Sequence, residues 1–129
     1  MAKTTTGVDP AAADAYDLAW VRFDRVAAVL LGPPNDEAIS GHPLWNDGLE
    51  TYQFHRVENS AWSVEYETRN RVHPNHRPES WKQDVHYIFT FHDKTLECLA
   101  DGHTVGLIRS TMRDQLHVLV DQLVGSANA

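Results

Sequence analysis

The chain has 129 residues, one domain's worth, enough to bury about two-thirds of the surface an unfolded chain exposes. Its 42% hydrophobic and 22% charged residues, with 7 glycines and 6 prolines, exclude the disordered and collagen-like classes. Eighteen acidic against 11 basic side chains leave a net charge of −7, which argues against general nucleic-acid binding, where the contact face carries positive charge.

The longest apolar run, Val26 to Leu31, is too short for a membrane span, and Met1 to Gly7 lacks the apolar core of a signal peptide. The expectation is a cytoplasmic protein with no membrane partner. A single cysteine, Cys98, allows no internal disulfide and no Cys-rich zinc site. Eight histidines are the one compositional oddity.

Taken in chain order, residues 1–8 are small and polar and read as a tail. Asp9-Pro10 is a helix-start signal, because the carboxylate can accept bare N–H groups and proline has no N–H to leave unpaired. Tyr16, Ala19, Trp20, Phe23, Val26, Ala27 and Leu30 then recur at three- and four-residue steps, which predicts a helix ended by Gly32-Pro33-Pro34. Asn35 to Ile39 can form a short helical turn before Gly41-His42-Pro43. Alternation predicts strands over Leu49–Val57 and Trp62–Val72, joined as a hairpin through Glu58-Asn59-Ser60.

His73 to about Lys82 holds two prolines and reads as a stiff loop. Val85–Asp93 is the clearest strand, with Val85, Tyr87, Phe89 and Phe91 on one face and His86, Ile88, Thr90 and His92 on the other. Leu96–Ala100 and His103–Ile108 follow across turn signals and complete a predicted meander. Thr111 with Asp114 resembles a capping box for a last helix, whose apolar stripe is Met112, Leu116, Leu119, Val120 and Leu123. Residues 125–129 read as a second tail.

This order predicts one α+β domain over residues 9–124. It is a two-layer sandwich, an antiparallel sheet of four to five strands with the N-terminal and C-terminal helices on one face. The covered face would carry Trp62, Val64, Tyr66, Val85, Tyr87, Phe89, Phe91, Leu96, Cys98 and Ala100, making Cys98 a buried structural thiol.

The opposite, polar face would then carry Glu65, Glu67, Arg69 and Arg71, then His86, Thr90 and His92, then Glu97. Imidazole beside carboxylate is the pairing that general acid–base chemistry uses, since the carboxylate orients the ring. His86, His92, Glu65, Glu67 and Glu97 are therefore the catalytic candidates. His86 and His92 lie roughly 20 Å apart along a strand, too far for one metal ion, so each would pair across the sheet, His86 with Glu65 or Glu67 and His92 with Glu97. Arg69, Thr90 and Trp81 are the candidate ligand contacts. His73 and His76 stand at H-x-x-H spacing and can approach His86, giving a candidate metal set; His42 supplies another loop histidine.

No G-x-S-x-G elbow, P-loop, Rossmann glycine pattern or H-E-x-x-H occurs. The leading expectation is a small acidic binding or accessory protein that acts through its polar sheet face and loops on a protein partner or small molecule. A homodimer is compatible with it. The alternative is a small His/Glu-dependent enzyme, a lyase, isomerase or hydrolase. No cofactor is expected, with a divalent metal such as zinc as the alternative.

Overall fold

The computed structural model describes residues 14–82 and 84–127. The fold is α+β with two antiparallel sheets. Strands β1 (Tyr16–Asp24) and β2 (Ala28–Gly32) come first, then two 3-10 turns (Asp36–Gly41 and Trp45–Asp47). Next are β3 (Phe54–Val57), α1 (Ala61–Asn70) and α2 (Pro78–Trp81). Strands β4 (Val85–Thr90), β5 (Thr95–Ala100) and β6 (Gly102–Ser110) precede α3 (Met112–Ala127). Contacts divide the chain into two compact units, with boundaries at Arg22/Phe23 and His103/Thr104.

The four-stranded sheet is antiparallel, as predicted, and runs in the order β2-β5-β4-β3. Three expectations change. The predicted helix through Tyr16–Leu30 is two strands, because Tyr16–Asp24 pairs with β6 and Ala28–Gly32 with β5. Pairing of this kind overrides the helix propensity of an Ala- and Leu-rich run. The predicted helix start at Asp9-Pro10 and the tail 1–8 lie outside the described residues. The predicted strand Trp62–Val72 is helix α1, capped by Ser60, whose Oγ accepts the Ser63 N–H at 3.1 Å. Strand β6 pairs with β1 rather than with β5, so the expected three-strand meander stops after two strands.

The final helix begins as the sequence predicts, with the Asp114 N–H on Thr111 Oγ1 at 3.0 Å, but it continues through Ala127. Its buried side is formed by Gln115 and Val118, whereas Met112, Leu116, Val120 and Leu123 of the predicted stripe are exposed. In the same unit Gly106 lies so close under the Trp20 indole that an added Cβ would meet it at 2.1 Å, so the approach requires glycine.

The sheet carries core on both faces. The register pairs Ile88 with Glu97 and His86 with Leu99, placing His86, Ile88, Glu97 and Leu99 on one side. There Ile88 packs with Ile39 of the first 3-10 turn and with Leu49. The other side buries Tyr87, Cys98 and Ala100, with Phe23 and Val85 against them. The aromatic face is thus only partly covered: Phe89 is half-buried in a stack with Phe54 and Phe91, and those two are exposed. Residues 34–62 instead enclose the face that was expected to be polar and solvated.

Ile88 has no exposed surface, so Ile88→Ala removes buried methylene groups and leaves a cavity. It is expected to cost about 2–5 kcal/mol in urea unfolding. A loss under about 1 kcal/mol would contradict this placement of the core.

Candidate functional site

The site is built around Glu97. Antiparallel pairing brings His86 of β4 diagonally beside Glu97 of β5 on one sheet face, within reach of two long side chains. His86 Nε2 lies 2.8 Å from Glu97 Oε1. The second carboxylate oxygen, Oε2, lies 3.1 Å from His42 Nε2. His42 reaches it because Asn35 caps the first 3-10 turn by accepting the Ala38 N–H, and Ile39 anchors that turn on Ile88.

The tautomers follow from the other ring nitrogens. His42 Nδ1 accepts the Leu44 N–H at 3.0 Å, so Nε2 carries the hydrogen and donates it to Glu97. His86 Nδ1 lies 2.7 Å from Ser60 Oγ. With Nε2–H given to the carboxylate, Nδ1 accepts the Ser60 hydroxyl hydrogen. The Trp62 ring meets His86 edge-on at 5.0 Å and fixes its plane.

Both imidazoles are almost fully enclosed, at 5% and 4% side-chain exposure, while Glu97 keeps 14%. Burial works to raise the Glu97 pKa, but the hydrogen bonds from His86 and His42 outweigh it and leave it below the usual carboxylate value. The carboxylate is held ionised. It lines a cavity of about 1110 Å³ whose walls are largely apolar, with Leu30, Pro34, Leu44, Val57, Trp62 and Ile88 among them. His55 also lies on this wall: its Nε2 accepts the Glu50 N–H, and its buried Nδ1 has no partner among the described residues.

No protein-family model matches the chain, and no curated protein or solved structure is significantly similar to it. The functional reading therefore rests on the geometry of the site.

Of the sequence candidates, the structure brings together His86 and Glu97, because the register sets Glu97 opposite Ile88 rather than beside His92, the partner the sequence suggests. Glu65 and Glu67 lie on α1 rather than on a neighbouring strand, and neither meets His86. Glu65 forms an exposed ion pair with Arg69, whose guanidinium also sits over Tyr66. Glu67 is buried and takes Arg71 Nε at 2.9 Å and His76 Nε2 at 2.9 Å, and these bonds, Arg71 first, hold its pKa down. His92 is exposed at the β4–β5 turn, where Asp93 and then Asp36 raise its pKa.

Thr90 is buried and clasps the turn before β3: its hydroxyl donates to Glu50 O at 2.7 Å and accepts the Gln53 N–H at 2.9 Å. Trp81 lines a second recess of about 420 Å³. Cys98 is buried, and burial pushes its thiol pKa up, in keeping with a structural role.

The set His73, His76 and His86 does not converge. Both ring nitrogens of His76 are engaged by Asn70 and Glu67, and both of His86 by Ser60 and Glu97. His73 is exposed, and its Nδ1 accepts the Asn75 N–H. Among the described residues no three His, Cys, Asp or Glu side chains are placed to hold one metal ion.

Sequence reasoning passed over Ser60 as a site residue. Its signal was present as a helix-cap serine, followed by Glu65/Arg69 and Glu67/Arg71 at the four-residue spacing of helical ion pairs.

A carboxylate whose folded pKa is depressed contributes stability above the unfolded value, about 4.3 for Glu, and loses it as pH falls through the folded value. Urea-unfolding stability is therefore expected to drop on acidification below that point. Glu97→Gln should start less stable and show a shallower acid loss. An unchanged acid slope in the variant would contradict an ionised, imidazole-paired Glu97.

Proposed function

We propose that the protein binds a small, largely apolar molecule bearing a cationic or strongly donating head group, with Glu97 as its polar anchor. The observation that carries this reading is an ionised carboxylate set in a mainly apolar cavity. A carboxylate has about four acceptor positions; the two imidazoles occupy one on each oxygen. Acceptor capacity remains, and an apolar wall strengthens any charge-assisted hydrogen bond made against it.

Pockets that pair apolar walls with a few placed polar groups are the usual form of small-molecule sites. The net charge of −7 favours a cation over an anion through the long-range field. This reading keeps the polar sheet face as the working surface, now as the wall of a cavity rather than an open plane.

Benzylammonium and its neutral counterpart benzyl alcohol test it, by calorimetry and thermal shift near neutral pH. Benzylammonium is expected to bind saturably and at least about tenfold more tightly than the alcohol, a difference of about 1.4 kcal/mol. Glu97→Gln should remove that preference. Absence of benzylammonium binding, or a preference that survives in Glu97→Gln, would overturn the proposal.

A further inference from the structure

Ser60, His86 and Glu97 form a continuous chain from a hydroxyl through an imidazole to a carboxylate. Ser60 Oγ is 2.7 Å from His86 Nδ1, and His86 Nε2 is 2.8 Å from Glu97 Oε1. This is the nucleophile, base and orienting acid of covalent catalysis, recognised by roles and distances rather than by a sequence motif. The ring nitrogens are exchanged relative to the serine proteases, but the logic is retained: the carboxylate keeps hydrogen on Nε2, leaving Nδ1 as the base toward the serine.

Two further features belong to the same place. Ser60 is half-buried and lines the recess of about 420 Å³ together with Ser63, Trp81, Lys82, Asp84 and His86, so its hydroxyl borders a space a substrate can enter. It also caps the ten-residue helix α1, turned into position by Asn59 in the left-handed conformation (φ 53°). The Ser63 N–H already points at Oγ, where it supports negative charge as the proton leaves.

We propose that Ser60 is the nucleophile of an acyl-transfer site in this recess, with His86 as its general base and a carboxylic ester as the substrate class. Ser60 Oγ bonds to the acyl carbon as its proton passes to His86 Nδ1, and the carbonyl π pair moves onto oxygen. Collapse breaks the bond to the alcohol, which departs with the proton from Nδ1. Water then adds to the acyl-serine, giving its proton to Nδ1, and collapse returns that proton to Ser60 and releases the carboxylic acid. Glu97 is a positioning residue in this scheme, and a ligand in the larger cavity is not required.

The test uses the full chain, a fluorophosphonate probe with mass-spectrometric mapping, and p-nitrophenyl acetate hydrolysis. The wild-type protein is expected to carry one covalent adduct, on Ser60. Ser60→Asn keeps a side-chain acceptor for the Ser63 N–H, and so the helix cap, but removes the nucleophile; it should take no adduct and lose hydrolysis. His86→Gln should slow hydrolysis by on the order of a hundredfold or more. No adduct on wild-type Ser60, an adduct elsewhere alone, or hydrolysis unchanged in Ser60→Asn would each overturn the proposal. Labelling of the wild-type chain decides the matter even if a variant fails to fold, and benzylammonium binding is read separately from it.

Discussion

An ionised carboxylate enclosed by apolar walls is expensive unless its oxygens are met by donors. Glu97 meets that condition with two imidazoles, and much of the four-stranded unit is arranged to deliver them. His42 comes from 55 residues earlier in the chain, at the end of a 3-10 turn, and His86 from the adjacent strand. Through His86 the same chain of bonds reaches Ser60 and the first turn of α1. One side chain therefore fixes where a turn, a strand and a helix start lie relative to one another, and the cavity wall is what they enclose.

Glu67 shows what the same chemistry does when its charge is fully answered. It too is buried and held below its ordinary pKa, and it too takes a hydrogen bond from an imidazole. The difference is Arg71, whose guanidinium spans both carboxylate oxygens and cancels the charge locally. With His76 bound to Asn70 as well, this cluster pins the segment after α1 back onto the helix. Glu97 has imidazoles but no Lys or Arg partner among the described residues. That contrast separates a carboxylate that staples a loop from one that presents charge to a cavity.

The elements legible in the sequence were those whose local and long-range preferences agree. The β4 strand, the hairpin into β5 and the Thr111 cap of α3 were read correctly, because alternation, turn residues and cap chemistry point the same way as the tertiary contacts. The Tyr16–Leu30 stretch departs from expectation because its three- and four-residue apolar spacing suits a helix, while its conformation depends on the edges it pairs with, β6 for Tyr16–Asp24 and β5 for Ala28–Gly32. The Trp62–Val72 stretch failed for the opposite reason, since its alternation masked a serine cap and two four-residue ion pairs.

The same two stretches shape the site. With α1 taken as a strand, Glu65 and Glu67 fall beside His86 and the polar sheet face stays open, whereas residues 34–62 cover that face. The pairing of His86 with Glu97 depends on the β4–β5 register, which the sequence leaves open and which sets Glu97 opposite Ile88 instead of beside His92. The arrival of His42 depends on packing between Ile39, Leu49 and Ile88, which no local pattern announces.

The arrangement around Glu97 can be read directly from the imidazole nitrogens. Two-bond ¹⁵N–¹H correlation spectra of the labelled protein near neutral pH should show His42 and His86 both hydrogen-bearing at Nε2, each with an unprotonated Nδ1. Removal of the carboxylate in Glu97→Gln should disturb both rings together. A hydrogen on Nδ1 of either ring, or tautomer-averaged signals like those of solvated histidine, would contradict a carboxylate held between two oriented imidazoles.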